Sequence, residues 1–295
     1  MINSIKFKST KKQFVKQLIY YFCRYFSEQN IKNYKPMVGF SFDSIHHHIN
    51  IFGTYEMIEL NMIHKFLKEN IKKPQIALDI GANIGNHTIR LFADNFLEVN
   101  CFEPHEKVFD LLEINTRDLE NVKIFKHGLS EEAKEVDFEI CNTNLGGSRI
   151  TLESKEIIDN NKKNFTKISV KKLDTIYEKF NRKIDLIKLD VEGHELQVLK
   201  GGKRIIQEHM PIILFEENNI SQNGSSEVIE YLKDLNYKFF IWKENFYFGE
   251  GKFLKLLKFF LQDIFGAKIE LVEVKRFQKK FYHLIFAKKI SSNLD

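Results

Sequence analysis

Cysteine is scarce in this 295-residue chain, and its three copies, Cys23, Cys101 and Cys141, lie far apart. That spacing excludes a disulfide framework or a zinc cluster of neighbouring thiols and points to a reducing compartment. No apolar run approaches the roughly 20 residues needed to cross a bilayer. The stretch from Leu18 to Cys23 is shorter than the roughly 7–15-residue core of a secretion signal. The expected location is therefore cytoplasmic, with peripheral contact at the inner membrane face as a further option. What is present, 43% hydrophobic and 29% charged residues, belongs to a globular protein. The length suits one α/β domain with extensions.

Glycine is also missing where one common ligand needs it. Gln75 to Asp79 is an apolar run that reads as a buried parallel strand. Gly81 to Gly85 follows as a turn, and Ile89, Leu91, Phe92 and Phe96 then repeat as an amphipathic helix starting at Thr88. This is the first crossover of a doubly wound sheet, whose ligands bind beyond the carboxyl ends of the strands. A dinucleotide fingerprint would place glycines where Asn83 and Asn86 stand, and Asp79 would repel a pyrophosphate. A cationic ligand suits the turn better.

Further strands are expected at Val99–Glu103, Val122–Phe125, Ile184–Asp190, Pro211–Phe215, Tyr237–Trp242 and Tyr282–Ala287, with two half-exposed ones at Glu135–Cys141 and Ile168–Leu173. Glu103 lies eighteen residues past Gly85, where a doubly wound fold places the acid that binds both hydroxyls of a ribose. Asp190 is delivered to the same edge, and Val191 to Lys200 continues as a helix closed by Gly201 and Gly202. Asn144 to Ser148, with its paired glycines, reads as a turn or as a loop over the acceptor, ahead of a polar excursion from Thr151 to Phe165.

Charge is unevenly spread. Residues 1–36 carry eight basic side chains against Glu28 alone, and residues 252–289 carry ten against three acids, whereas acids exceed bases by eight over residues 37–251. The N-terminal stretch patterns as a helix with Phe14, Leu18, Tyr21, Phe22 and Phe26 on one stripe. Residues 252–265 read as a second basic, apolar helix. Each is expected either to pack on the protein or to lie on an anionic surface. The adjacent His46, His47 and His48 do not share a helix face, which opposes a metal site there.

Asp79-Ile-Gly-Ala-Asn-Ile-Gly-Asn-His-Thr88, Phe102-Glu-Pro104, Gly146-Gly-Ser148, Lys188-Leu-Asp-Val-Glu-Gly-His-Glu195 and Phe215-Glu216, in this order, resemble the FkbM family of S-adenosylmethionine-dependent methyltransferases. The resemblance covers roughly residues 50 to 242. It implies a class I methyltransferase fold, a Rossmann-like doubly wound sheet with an antiparallel last strand, here with an N-terminal helical extension. The expected division is 1–50 extension, 51–290 catalytic domain with a helical insertion at about 243–280, and 291–295 tail. In such folds strands six and seven form the antiparallel hairpin, which makes 243–280 an insertion within it.

The cofactor implied is S-adenosyl-L-methionine, with Asp79, Gly81, Asn83, Gly85, Asn86, Thr88, Glu103, Gly128, Leu129 and Asp190 as its binding residues. Transfer of the methyl group to an alcohol is an in-line displacement in which the acceptor loses a proton. Asp190, His194, Glu192 and Glu216 are the catalytic candidates, with His194 as the imidazole acting near neutral pH. No metal ligands are assigned, although Asp190, Glu217 and Asn218 keep a magnesium-assisted variant open. The expected acceptor is a hydroxyl of a sugar, in a surface polysaccharide or a glycolipid. Alternatives are a nucleic acid, which the acidic middle opposes, a secondary metabolite, or a non-catalytic adenosine-binding role.

Overall fold

A computed structural model describes residues 11–141, 145–151, 164–177, 182–244 and 269–289. The chain starts with α1 (Lys11–Asn33), α2 (Ser44–Phe52) and α3 (Met57–Asn70) and then enters β1 (Ile76–Ile80). A π-helical turn over Thr88–Phe92 runs into α4 (Ala93–Asn95), followed by β2 (Glu98–Phe102), α5 (Glu106–Thr116) and β3 (Val122–Phe125). A second group of strands comes next: β4 (Gly128–Leu129), β5 (Lys134–Ile140), β6 (Arg149–Thr151) and β7 (Asn164–Lys171). After α6 (Leu173–Ile176) the chain returns through β8 (Ile184–Leu189), α7 (Glu195–Gly201), α8 (Lys203–His209), β9 (Ile212–Glu217) and α9 (Glu227–Asp234). It finishes with β10 (Tyr237–Glu244), β11 (Ile269–Val274) and β12 (Tyr282–Lys289).

Eight of these strands form one sheet in the order β11-β10-β12-β9-β8-β1-β2-β3. β3, β2, β1, β8 and β9 are parallel, and β12 enters antiparallel between β9 and β10. The order reverses beside β1, between β2 and β8, which opens a crevice at the carboxyl ends of these strands. Helices cover both faces, so the central strands are buried throughout. Because side chains alternate along a strand, Leu78, Ile80, Ile187, Leu189 and Phe215 pack toward α7–α9. Ala77, Leu186, Leu214 and Phe286 pack on the opposite face with Phe66 of α3. The same alternation sends Asp79, Lys188 and Glu216 to the α3 face and Glu217 to the α9 face.

The doubly wound sheet and its antiparallel last strand are as expected, with three local differences. Residues 243–280 are not wholly helical, since β11 lies within them and pairs antiparallel with β10 as an outer strand. The helix expected at 252–265 lies outside the described residues, as do the tail 291–295 and most of the excursion after Thr151. The helix placed at Val191 starts only at Glu195, because Val191 to Gly193 form a bend with Glu192 at φ 52° and Gly193 at φ 95°. Lastly, a boundary at residue 50 cuts α2. Met37 and Ile49 share a cluster with Ile84, Ile89, Val108 and Leu145, and Asn115 exchanges hydrogen bonds with the backbone of Val38.

Candidate active site

The glycine turn is built by close approach. Gly81 sits at φ 75°, and a Cβ there would lie 1.8 Å from the Asp190 carbonyl oxygen, so a side chain would push β1 and β8 apart at the crevice. Asn83, at φ 51°, donates its backbone N–H to Glu103 Oε2 at 3.1 Å, and His105 N–H donates to Glu103 Oε1 at 2.8 Å. Burial pushes the Glu103 carboxyl up to about 7 against these two bonds. Its orientation is thereby set before any ligand arrives.

Beside this turn lies a cleft. Phe102, Leu129, Phe138 and Ile150 supply apolar walls, and Glu103 and Asp190 are its acids. Phe138 and Ile150 come from the small sheet of β4, β7, β5 and β6, which closes one side. Leu145, Gly146 and Ser148 also line this cleft, so the paired glycines form a tight turn in its wall. Asp43, the N-cap of α2, accepts hydrogen bonds from Ile45 N–H at 2.8 Å and Leu145 N–H at 3.2 Å, tying that turn to the N-terminal helices.

Of the ten expected cofactor residues, Gly81, Asn83, Glu103, Gly128, Leu129 and Asp190 line the cleft. Asp79, Gly85, Asn86 and Thr88 lie beneath it. Asp79 is fully buried, accepting a hydrogen bond from Thr88 Oγ1 at 2.7 Å on Oδ2. Its Oδ1 makes no well-directed hydrogen bond but sits 3.3 Å from Lys188 Nζ, where attraction between opposite charges still holds them. Lys188 Nζ also reaches Asp190 Oδ2 at 3.2 Å and the Gly81 carbonyl at 3.0 Å. Burial opposes its charge, but Asp190, Asp79 and Glu56 together hold its pKa above the usual lysine value. A lysine inside Ile-Asp-Leu-Ile-Lys-Leu was the signal for this, because a buried ammonium needs anionic partners.

A second, smaller cavity opens on the α3 face beside Lys188. Glu56, His87, Asp190 and Glu216 line it, and Asp190 is common to both cavities. Burial, reinforced by Asp190 and Glu56, raises the Glu216 carboxyl to about 8. Burial, with Asp190 and Glu59 adding to it and Lys188 opposing, raises Glu56 to about 7. His87 Nε2 is 3.5 Å from Glu56 Oε2, and burial lowers the imidazole to about 3, so the ring is neutral. Glu56 precedes α3 with a left-handed backbone at φ 55°. The adjoining turn is held by Asn86, which accepts from Thr54 Oγ1 and Tyr55 N–H and donates to the Tyr55 carbonyl at 2.8 Å. Neither Glu56 nor His87 was a sequence candidate. Their partnership spans distant parts of the chain and has no local pattern.

His194 differs from its expected part. It is buried, its Nε2 lies 3.0 Å from Ser130 Oγ, and burial lowers it to about 4, so it does not titrate near neutral pH. It lines the cleft on the side of Gly128 and Leu129, and not the cavity shared by Glu56 and Glu216. Glu192 projects on the exposed bend, with burial and then Asp190 raising it to about 6. Glu217 faces away from Asp190, accepting from Asn219 N–H at 2.7 Å and from Ser226 Oγ. Asp190, Glu217 and Asn218 therefore do not form a joint ligand set. Among the described residues no group of three or more histidines, cysteines or acids is arranged to hold a metal ion.

Residues 79–239 match the Methyltransferase FkbM domain, a span that runs from the end of β1 to the first residues of β10. The chain belongs to the FkbM methyltransferase family. Within the matched span lie the glycine turn, Glu103 and the β8 edge of this FkbM domain, whereas α1, α2 and Glu56 fall outside it. The chain is similar to the hexuronic acid methyltransferase AglP of Haloferax volcanii, at 28% identity over 145 residues. That match takes in 48% of this chain and 56% of the relative, so little more than half of the relative's length is spanned. Among solved structures it is similar to methyltransferase FkbM from Methylobacillus flagellatus KT, with 16% identity, 67% of this chain and 48% of that one covered, and a TM-score of 0.34. It is similar also to an S-adenosylmethionine-dependent O-methyltransferase of Thermotoga maritima, with 15% identity, 85% and 73% covered, and a TM-score of 0.42.

Proposed function

We propose that this protein is an S-adenosyl-L-methionine-dependent O-methyltransferase acting on a sugar hydroxyl. The observation that carries the reading is Asp190, the one acid lining both the apolar-walled cleft and the cavity of raised carboxyl groups. The cleft suits the cofactor chemically: Phe102 and Leu129 offer surfaces to the adenine, Glu103 accepts from the ribose hydroxyls, and Asp190 attracts a cation. When bound, the cofactor supplies an electrophilic methyl group. Family membership supports this ligand, and the hexuronic acid specificity in the name of the Haloferax volcanii relative supports a sugar as acceptor.

The remaining work falls to the protein's own side chains. An acceptor hydroxyl in the smaller cavity meets Glu216 and Glu56, whose raised affinity for protons makes them stronger bases than ordinary carboxylates. Glu216, in its ionised form, takes the hydroxyl proton as the oxygen becomes a nucleophile. Lys188 fixes Asp190 and the Gly81 carbonyl, so the two cavities keep their alignment. Neutral His194 serves as a positioning residue that holds Ser130 and the strand beside the adenine. Acids exceed bases by eight over residues 37–251, an unfavourable field for a polyanionic nucleic acid.

The test is transfer of an isotopically labelled methyl group from S-adenosyl-L-methionine to glycans of the native host, read by mass spectrometry. One sugar residue should gain the label on oxygen. Label entering RNA, or no label in glycans, lipids or small molecules, would overturn the reading.

A further inference from the structure

The first helix leaves its apolar side chains open to solvent. Phe14, Leu18, Ile19, Phe22, Tyr25 and Phe26 of α1 are each 43% to 62% exposed. At 3.6 residues per turn they fall within an arc of about 140°. The polar flank holds the helix to the body, because Ser27 Oγ and Asn30 Nδ2 both donate to the Asn50 carbonyl, at 3.2 and 2.9 Å. An amphipathic helix packing for stability alone would bury these side chains, whereas residues 13–22 are exposed on every side. The outer face is thus large, aromatic and without cover among the described residues.

We propose that this face of α1 docks on an anionic phospholipid bilayer, lying in its interface. Charge selects that occupant. Residues 1–36 hold eight basic side chains against one acid, so a second copy of the chain would set one cationic surface against another, whereas an anionic headgroup layer complements it. Residues 252–265, the other apolar segment, bring Lys252, Lys255 and Lys258 and meet the same repulsion. None of the described helices is long and apolar enough to cross a membrane, so the mode is surface attachment. Aromatic side chains, amphipathic at Tyr25, are those favoured at headgroup depth.

The full chain is to be sedimented with vesicles of phosphatidylcholine, with and without phosphatidylglycerol. It should pellet with the anionic vesicles and bind neutral ones, or anionic ones in high salt, about tenfold less tightly. The Leu18→Ser/Phe22→Ser variant alters only exposed side chains outside the cleft. It should lose at least about tenfold in vesicle binding while its circular dichroism and melting temperature stay unchanged. Failure of the wild type to pellet with anionic vesicles would overturn the proposal, as would undiminished binding by the folded variant. A dimer seen by light scattering that the variant dissolves, with no vesicle binding by either protein, would assign the face to a second copy instead.

Discussion

At the scale of single residues, the chemistry turns on carboxyl groups whose surroundings resist charge. Glu216→Gln keeps the shape and removes the base, so turnover should fall by about 10²-fold or more while cofactor affinity is retained. Steady-state kinetics with calorimetry separates the two. The same variant tests the pH linkage. Glu216 titrates near 8 when folded and near its ordinary value of 4.5 when unfolded, so the folded state holds the extra proton between those values. The stability associated with that proton is present below about pH 4.5 and is lost as pH rises through 8. Glu216→Gln should therefore raise the melting temperature relative to wild type more at pH 8 than at pH 5. Lys188→Met should do the opposite in kind, leaving Asp79 buried without its cation and costing about 3–5 kcal/mol in denaturant unfolding. Asp79 and Glu103 were legible because turn spacing and the second strand locate them. Lys188 was legible only as an oddity in an apolar strand, and Glu56 and His87 not at all, since their meeting depends on how α3 approaches the sheet.

At the scale of elements, the turn before α3 and the glycine turn act together. Asn86 bonds both faces of the Tyr55 backbone and so sets where Glu56 begins α3. Asn86→Ala should loosen that turn, lowering turnover about tenfold or more with a melting-temperature loss of a few degrees, because a small displacement of a reacting group is costly. Equal turnover by the variant would separate Asn86 from the chemistry. Asn86 was expected at the cofactor from its place in the glycine turn. Its side chain instead reaches backward to a segment 31 residues earlier, a contact no local pattern encodes. The bend at Val191–Gly193 was misread for a related reason. Glu195 Oε1 accepts from Gly193 N–H at 3.1 Å, which holds the bend ahead of α7, whereas helical periodicity alone extends the helix back to Val191.

At the scale of the whole molecule, the alternation of apolar strands and amphipathic helices made the doubly wound sheet readable, and the parallel core from β3 to β9 follows it strand by strand. The N-terminal portion was less readable, since basic composition suggested an appendage. Yet Asp43 reaches the turn at Leu145, and Met37 and Ile49 fill the cluster beneath it, so these residues help close the cleft. β11 was missed because its short Ile269–Val274 run lies in a basic stretch, and only pairing with β10 makes it a strand. The central claim joins one cleft for S-adenosyl-L-methionine to one cavity for the acceptor. Titration calorimetry with S-adenosyl-L-methionine on the wild type, Glu103→Ala and Glu216→Gln tests it most directly. Binding by the wild type, weakened about tenfold or more in Glu103→Ala and preserved in Glu216→Gln, is the predicted result. No binding by the wild type, or equal affinity in Glu103→Ala, would contradict it.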